Sequence, residues 1–94
     1  MIVERWTWKV KHMCRGEVVE LTKAMVEEIG LTPRICTFTF GPWDVVTSDL
    51  EFESEEDRKM CWAGIDWSQP ATAEWNRRER ELVVSATRAL LEVR

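Results

Sequence analysis

The sequence predicts an α+β domain in which helices cover one face of a four-stranded antiparallel sheet. Two stretches that alternate between apolar and polar residues meet at Gly41-Pro42, where proline donates no amide hydrogen bond and strand pairing breaks. A third alternating stretch opens the chain, and helical patterns follow the first and third of these strands. The order strand, helix, strand, strand, helix (broken), strand is that of the ferredoxin-like fold, and 94 residues are enough for one such domain, spanning residues 1–94.

The first strand and the first helix follow from simple periodicity. Residues 2–11 alternate and place Trp6 and Trp8 on one face, which predicts a strand with a large aromatic surface. Residues 17–29 carry apolar side chains at helical spacing. Gly30 is a natural left-handed residue for ending that helix, so we expect a Schellman cap there.

The central hairpin is predicted from residues 34–40 and 43–53. In the first of these stretches, Cys36, Phe38 and Phe40 share one face, and we assign that face to the helix side of the sheet. The residues expected under the helices are Trp6, Trp8, Cys36, Phe38, Phe40, Leu50 and Phe52.

The second half of the chain begins with a capping signal. Ser54 precedes three acidic residues, as in a capping box, and predicts a helix that ends near Trp67. After a break at Ser68-Gln69-Pro70, residues 71–83 predict a further helix. Residues 87–93 alternate and predict the fourth strand, although alanine and leucine also favour a helix in this stretch.

Composition and charge exclude several classes of function. A net charge of −4 without a basic patch argues against nucleic-acid binding, and no apolar run reaches the roughly 20 residues of a membrane span. Three cysteines without a close pair argue against a disulfide framework and a zinc site. With Glu4 and Arg5 where an export signal needs an apolar core, we expect a cytoplasmic protein.

The second face of the sheet is expected to be too apolar for a solvated surface and too charged for the core of a monomer. Its predicted residues are Val3, Thr7, Ile35, Thr37, Thr39, Val45 and Thr47, with Arg5, Lys9, Asp49 and Glu51. A homodimer packed face to face would cover this surface and close the two sheets into a barrel. We expect Asp49 to pair with Arg5 or Arg34 inside that dimer, and Asp44 to be exposed.

The central stretch resembles the NIPSNAP-like group of dimeric α/β-barrel proteins. The resemblance rests on the strand that begins at Arg34, the Phe40-Gly41-Pro42 corner, and the acidic, aromatic strand end that runs into Ser54. It implies a dimer with a pocket between the helices and the sheet of each subunit. The wider superfamily includes antibiotic-biosynthesis monooxygenases, haem-degrading enzymes and lactone isomerases, so the resemblance does not imply one chemistry.

The aromatic residues predict a site for a small, flat, hydrophobic ligand in that pocket. The candidate ligand-binding residues are Trp6, Trp8, Phe38, Phe40, Trp62 and Trp75. The alternative is that these side chains form the core, because aromatic residues dominate the cores of small domains.

Two residues are candidates for catalysis. His12, the only histidine, can serve as a general base or a haem ligand, although the sequence fixes no acid beside it and an exposed turn residue is the alternative. Asn76, the only asparagine, follows Trp75, and the resemblance to cofactor-free monooxygenases implies a role in positioning substrate and oxygen. No histidine accompanies this pair as in the haem-degrading relatives, and no cofactor is expected.

Three functions remain open at this point. The first is a ligand-binding homodimer without an assigned reaction. The second is a cofactor-independent monooxygenase or isomerase that acts on an aromatic or lactone substrate. The third is a structural dimer that binds another protein, for which Trp43 and Trp67 would be exposed and not part of a pocket.

Overall fold

Four strands and three helices form two layers in the computed structural model, which describes residues 1–94. In chain order the elements are β1 (Ile2–Val10), α1 (Arg15–Glu28), β2 (Arg34–Thr37), β3 (Val45–Phe52), α2 (Glu55–Ala63), α3 (Pro70–Leu82) and β4 (Val83–Glu92). The sheet order is β2-β3-β1-β4, and each neighbouring pair is antiparallel. The predicted α+β, ferredoxin-like architecture is confirmed, and its shortest dimension of 19 Å is that of one helix layer on one sheet.

The helix ends follow the local signals in the sequence. Gly30 has a φ of +84°, and the amide of Leu31 donates to the carbonyl of Val26 at 3.1 Å, which completes the predicted Schellman cap of α1. At the start of α2, the hydroxyl of Ser54 accepts a hydrogen bond from the amide of Asp57 at 3.1 Å. Both caps satisfy backbone groups that a helix end leaves without partners.

The helix-covered face of the sheet is set by the register of β1 and β3. Trp8 lies opposite Val46, and Glu4 lies opposite Leu50. Residues directly opposite in an antiparallel pair share a face, so these four side chains all point toward the helices. The buried core between the two layers consists of Trp8, Val10, Val18, Met25, Val26, Val46, Leu50, Phe52, Trp75 and Leu82.

The two faces of strand β2 are exchanged relative to the prediction. Ile35 pairs with Ser48, and Thr37 pairs with Val46. Because Ser48 and Val46 are buried under the helices, Ile35 and Thr37 lie on the helix side, and Cys36 is exposed on the other side. The assignment of Cys36 to the helix side, and of Ile35 and Thr37 to the second face, is therefore wrong, since a shift of one residue exchanges the faces of a whole strand.

Residues 38–44 form a loop and do not continue strand β2. Phe38 is 38 % exposed and Phe40 is 96 % exposed. The prediction that both phenylalanines lie under the helices is wrong, because the strand ends at Thr37 and the chain leaves the sheet before it reaches them. Gly41 has a φ of +115°, a conformation that favours glycine and turns the loop back toward β3.

Arg15 of α1 holds this loop. Its guanidinium carbon lies 3.4 Å from the centroid of the Trp43 ring, and its Nη1 donates to the carbonyl oxygen of Phe38 at 3.3 Å. Trp43 still exposes 56 % of its surface. The loop therefore displays aromatic side chains at the end of the sheet, away from the core.

Strand β4 is longer than predicted and begins directly after α3. It pairs with β1 along its length as an edge strand, and apart from Val83 its residues are exposed. The helical alternative for this segment is thereby excluded. The helices of the structure are all too short or too polar to cross a membrane.

Candidate ligand-binding cavity

A cavity of about 190 Å³ lies between the sheet and the helices. Five of the six tryptophans reach it. Its lining residues are Trp6, Trp8, Met25, Val26, Ser48, Leu50, Trp62, Trp67, Trp75, Asn76 and Glu79. Most of this wall is apolar, and Glu79 is the one residue in it that carries a charge.

The aromatic walls of the cavity meet in two orientations. The rings of Trp6 and Trp8, neighbours on the same face of β1, are parallel to within 7° with centroids 6.1 Å apart. Trp75 of α3 stands at 68° to Trp8, with a centroid distance of 5.2 Å, in an edge-to-face contact. The sheet therefore supplies one aromatic surface, and α3 supplies a second that is steeply inclined to it.

The two long helices that close the cavity are fastened to each other by Glu28. This residue at the end of α1 accepts hydrogen bonds from the amides of Ala71 and Thr72, at 3.1 and 2.7 Å. A carboxylate at the N-terminus of a helix satisfies free amides and suits the helix dipole. The contact fixes α3, and with it Trp75, relative to α1.

The segment between α2 and α3 brings Trp67 to the cavity. Asp66 accepts hydrogen bonds from the backbone and hydroxyl of Ser68 and, at 3.0 Å, from the side-chain amide of Gln69. These bonds lower the pKa of Asp66 to about 2, because they favour the charged carboxylate. Trp67 is 49 % exposed, so one part of its ring faces the cavity and another faces solvent.

A buried carboxylate supports the wall that Trp62 forms. Glu4 of β1 is fully buried, and its Oε2 accepts a hydrogen bond from the indole N–H of Trp62 at 2.8 Å. Its Oε1 accepts from Nη1 of Arg58 at 3.0 Å, and Arg88 of β4 lies 3.8 Å away. A charge this deep in the protein needs such partners, because burial without them is very costly.

The charges around Glu4 also affect neighbouring groups. The hydrogen bond to Glu55, followed by the charges of Glu55 and Glu4, raises the pKa of Arg58, so this guanidinium stays protonated. Burial, with the added charge of Glu4, raises the pKa of the Cys61 thiol. Cys61 is thus held as the neutral thiol at neutral pH.

A few polar groups face the otherwise apolar cavity. Asn76 and Glu79 lie on α3, and Ser48 lies on β3. The indole N–H of Trp6 is buried without a hydrogen-bond partner in the protein. A buried donor without a partner costs roughly 1–3 kcal/mol.

The structure brings most of the predicted site residues together. Among the predicted ligand-binding residues, Trp6, Trp8, Trp62 and Trp75 line the cavity. Phe38 and Phe40 do not line it, because they lie in the 38–44 loop. Of the two catalytic candidates, Asn76 lines the cavity and His12 does not.

His12 sits in the turn after β1 with its side chain 81 % exposed. Its Nδ1 lies 3.7 Å from Oδ2 of Asp44, so the fold supplies an acidic neighbour that the sequence did not indicate. Asp44 was expected to be exposed, but its side chain is only one-third exposed and its Oδ1 is buried without a partner. No three histidine, cysteine, aspartate or glutamate side chains cluster in a way that could hold a metal ion.

Three residues of the site were missed by the sequence analysis. Glu4 shares its face of β1 with Trp6 and Trp8, so the alternation that placed the tryptophans could also have placed this carboxylate in the core. Glu79 lies three residues after Asn76, on the same side of α3. Trp67 depends on the path of the 64–69 segment, for which the sequence gives no periodic signal.

Comparison with solved structures identifies the fold. A NIPSNAP domain protein from Burkholderia xenovorans superposes with a TM-score of 0.80 at 14 % identity, covering 100 % of this chain and 95 % of the other. The fold is NIPSNAP-like. A NIPSNAP family protein from Agrobacterium tumefaciens gives a TM-score of 0.79 at 16 % identity, over 99 % of this chain and 85 % of the other.

The NIPSNAP-like fold also extends to enzymes. An antibiotic biosynthesis monooxygenase superposes with a TM-score of 0.70 at 11 % identity, over 100 % of this chain and 99 % of the other. No family model matches the sequence, and no curated protein is similar enough in sequence to match it. The resemblance found in the sequence is confirmed at the level of the fold, and identities this low carry no reaction or substrate.

Proposed function

We propose that this NIPSNAP-like protein binds a small aromatic or hydrophobic molecule in the cavity between its helices and its sheet. The observation that carries the proposal is that five of its six tryptophans line one cavity. Apolar cavities with a few polar groups at defined positions are typical of small-molecule sites. In this cavity the polar groups are those of Ser48, Asn76 and Glu79.

The cavity volume limits the ligand to one ring or two. An engineered apolar cavity of about 150 Å³ binds benzene, and drug-sized ligands occupy about 300–1,000 Å³. At about 190 Å³, this cavity is close to the first of these sizes. We therefore expect a molecule such as a substituted phenol and not a three-ring compound.

Trp67 and Trp43 offer a matched pair for testing this proposal. They are exposed to a similar degree, at 49 % and 56 %, but only Trp67 lines the cavity. We expect the wild type to bind p-cresol, and Trp67→Ala to weaken that binding by roughly fivefold, since one aromatic contact contributes about 1 kcal/mol. Isothermal titration calorimetry measures the affinity, and the indole N–H signals in NMR spectra report where the probe binds.

Trp43→Ala is the control for this experiment, and its affinity for p-cresol should equal that of the wild type. Signals of Trp6, Trp8 and Trp75 should shift on titration. Equal losses in the two variants, or shifts confined to Trp43, would place the probe outside the cavity and contradict the proposal.

A second candidate function is catalysis without a cofactor, as a monooxygenase or isomerase. It is favoured by the position of Asn76, which lines the cavity beside Trp75 and can orient a substrate by hydrogen bonds from its amide. The exposed His12 lies outside the cavity and would not act on a substrate bound there. The cavity volume limits this candidate to substrates of one or two rings.

For the oxygenase form of this candidate, Asn76→Ala should lower the rate of oxygen uptake with a one-ring hydroquinone by about 100-fold, the effect expected when a positioned hydrogen-bonding group is removed. His12→Ala should leave the rate unchanged. An oxygen electrode measures both rates, and circular dichroism confirms that the variants are folded. Uptake that depends on His12 and not on Asn76 would refute this assignment.

We also propose that two copies of the chain pack through their uncovered sheet faces. On that face four of the five charged residues are paired within one chain, with Arg5 bonded to both oxygens of Asp49 at 2.8 and 2.9 Å. Arg34 lies 2.9 Å from Glu51. The hydrogen bond from Arg5 lowers the pKa of Asp49, so the pair stays ionised at neutral pH. A second copy covering this face would therefore bury two ion pairs, and Lys9 at the end of β1 is the one charged residue of the face without a partner in its own chain.

A further inference from the structure

We propose that the small hydrophobic ligand of this cavity carries a positive charge, as a quaternary ammonium compound does. The inference rests on the proposed function, because it concerns the ligand of the same cavity. It depends on the combination of tryptophan walls with a single charged residue of negative sign, Glu79. Quaternary ammonium groups are recognised by cages of aromatic rings, whose faces carry negative electrostatic potential.

The rings that line the cavity do not form a slot for a flat ligand. Trp6 and Trp8 are parallel to within 7°, whereas Trp75 is inclined at 68° to Trp8. A planar ligand stacks best between parallel faces that oppose each other. Neither ring pair leaves such a slot, because Trp6 and Trp8 are stacked and Trp8 and Trp75 are in edge-to-face contact at 5.2 Å. A trimethylammonium group is close to spherical and needs no slot between parallel faces, because it can pack against the parts of the rings that line the cavity.

Glu79 differs from the other two acidic residues of α3. Glu74 pairs with Arg77 at 2.7 Å, and Glu81 pairs with Arg78 at 2.9 Å. Glu79 forms no ion pair in the structure and lines the cavity. A carboxylate without a partner at a cavity wall would be neutralised by a bound cation.

The protein's own cations do not occupy this position. No lysine or arginine lines the cavity. Arg88 approaches one wall from outside the cavity lining, with its guanidinium carbon 5.6 Å from the centroid of the Trp6 ring. This contact shows that the Trp6 ring accepts a cation, and the charge of Arg88 is offset by Glu4 at 3.8 Å.

The volume of the cavity and its polar groups restrict the choice of ligand further. A cavity of about 190 Å³ accommodates a trimethylammonium group with a short substituent. The side-chain amide of Asn76 can donate a hydrogen bond to an oxygen on that substituent. Choline, which combines a trimethylammonium group with a hydroxyl two carbons away, is therefore a suitable probe.

The experiment compares choline with 3,3-dimethylbutan-1-ol, which has the same shape but carries carbon in place of the charged nitrogen. Calorimetric titration measures both affinities for the wild type, for Glu79→Gln and for the control Glu81→Gln on the outer surface of α3. We expect the wild type to bind choline at least about tenfold more tightly than the neutral alcohol, the advantage expected for a cation at a desolvated aromatic site.

The two variants separate a charge effect from a change of structure. Glu79→Gln should reduce the advantage of choline by about fivefold and leave the affinity for the neutral alcohol unchanged, because only the cation interacts with the lost charge. Glu81→Gln should retain the full advantage. In NMR spectra the methyl signal of bound choline should move upfield, as expected for protons above aromatic rings.

Three other outcomes would overturn the inference, and they differ in what they mean for the proposed function. Equal binding of choline and the neutral alcohol would show an apolar cavity without charge preference, and would leave the proposed function intact. Binding of p-cresol without choline would have the same meaning. Failure of all three compounds would overturn the proposed function together with this inference.

Discussion

Replacing Arg58 with methionine will lower the free energy of unfolding by about 3 kcal/mol, because it leaves the carboxylate of Glu4 buried without its main partner. Glu4 is fully buried, and its Oε1 accepts from Nη1 of Arg58 at 3.0 Å. Arg88, at 3.8 Å, compensates only in part because its side chain is half exposed. Urea denaturation at one fixed protein concentration, followed by circular dichroism, measures the change.

Two further variants show whether the loss of stability comes from the unpaired charge of Glu4. Glu55→Gln removes the other partner of Arg58 but leaves Glu4 paired, and we expect little change, since Glu55 is a surface residue. In the double variant Glu4→Gln with Arg58→Met, a neutral amide replaces the carboxylate and most of the stability should return. If the double variant is as unstable as Arg58→Met alone, the loss is one of packing and the electrostatic explanation is wrong.

The Glu4 cluster connects stability with the proposed site. The hydrogen bond from Trp62 to Glu4, at 2.8 Å, fixes the orientation of a ring that lines the cavity. Arg58 in turn bonds both Glu4 and Glu55, so it joins the buried strand β1 to the exposed side of α2. We infer that the cluster holds the aromatic wall in place, which is how a buried polar network contributes specificity.

Local signals explain why the fold was predictable from the sequence. The Schellman cap at Gly30 and the hydroxyl cap at Ser54 depend on residues within one helical turn, and both were predicted at the correct positions. The alternation of Trp6 and Trp8 likewise needs no information from the rest of the chain. Signals of this kind fix where elements begin and end, and the order of elements then implies the fold.

The residues of β2 were assigned to the wrong faces because alternation alone does not say which of the two sets lies under the helices. The aromatic side chains at Phe38 and Phe40 favoured placing their face under the helices, but the strand has only four residues and ends before them. Pairing of Ile35 with Ser48 decides the face, and that contact joins residues 13 positions apart in the sequence. A register set by a partner strand cannot be derived from one short strand.

The candidate site was predictable only where it coincided with the core. Trp8 and Trp75 were found because large apolar residues at inward positions are expected to be buried. Glu4 and Glu79 were missed because a charged residue is normally assigned to the surface, and each is explained only by its three-dimensional neighbours. A carboxylate on an otherwise apolar face can therefore belong to the core or to the site, as Glu4 and Glu79 do.

Replacing Thr7 with glutamate will convert the proposed homodimer into a monomer. Thr7 lies in a cross-strand row on the uncovered sheet face, between Thr47 on β3 and Thr87 on β4, and the row ends at Cys36 on β2. The row carries no charge, so it can face the same row of a second copy. Two glutamates brought together in that interface would repel each other and lose their hydration, which we expect to weaken association by at least about 100-fold.

The control places the same new charge on the other layer of the molecule. Ala24 is exposed on α1, away from the sheet face, so Ala24→Glu should leave the subunit count unchanged. Native mass spectrometry and light scattering should give twice the 11.1 kDa of one chain for the wild type and the control, and one chain mass for Thr7→Glu. Strand β4 supports this expectation, since Leu91 lies on the same face as Thr87 and is still 39 % exposed in the single chain. A wild-type protein that is monomeric at working concentration, or a Thr7→Glu variant that remains dimeric, would show that the sheet faces do not form the interface.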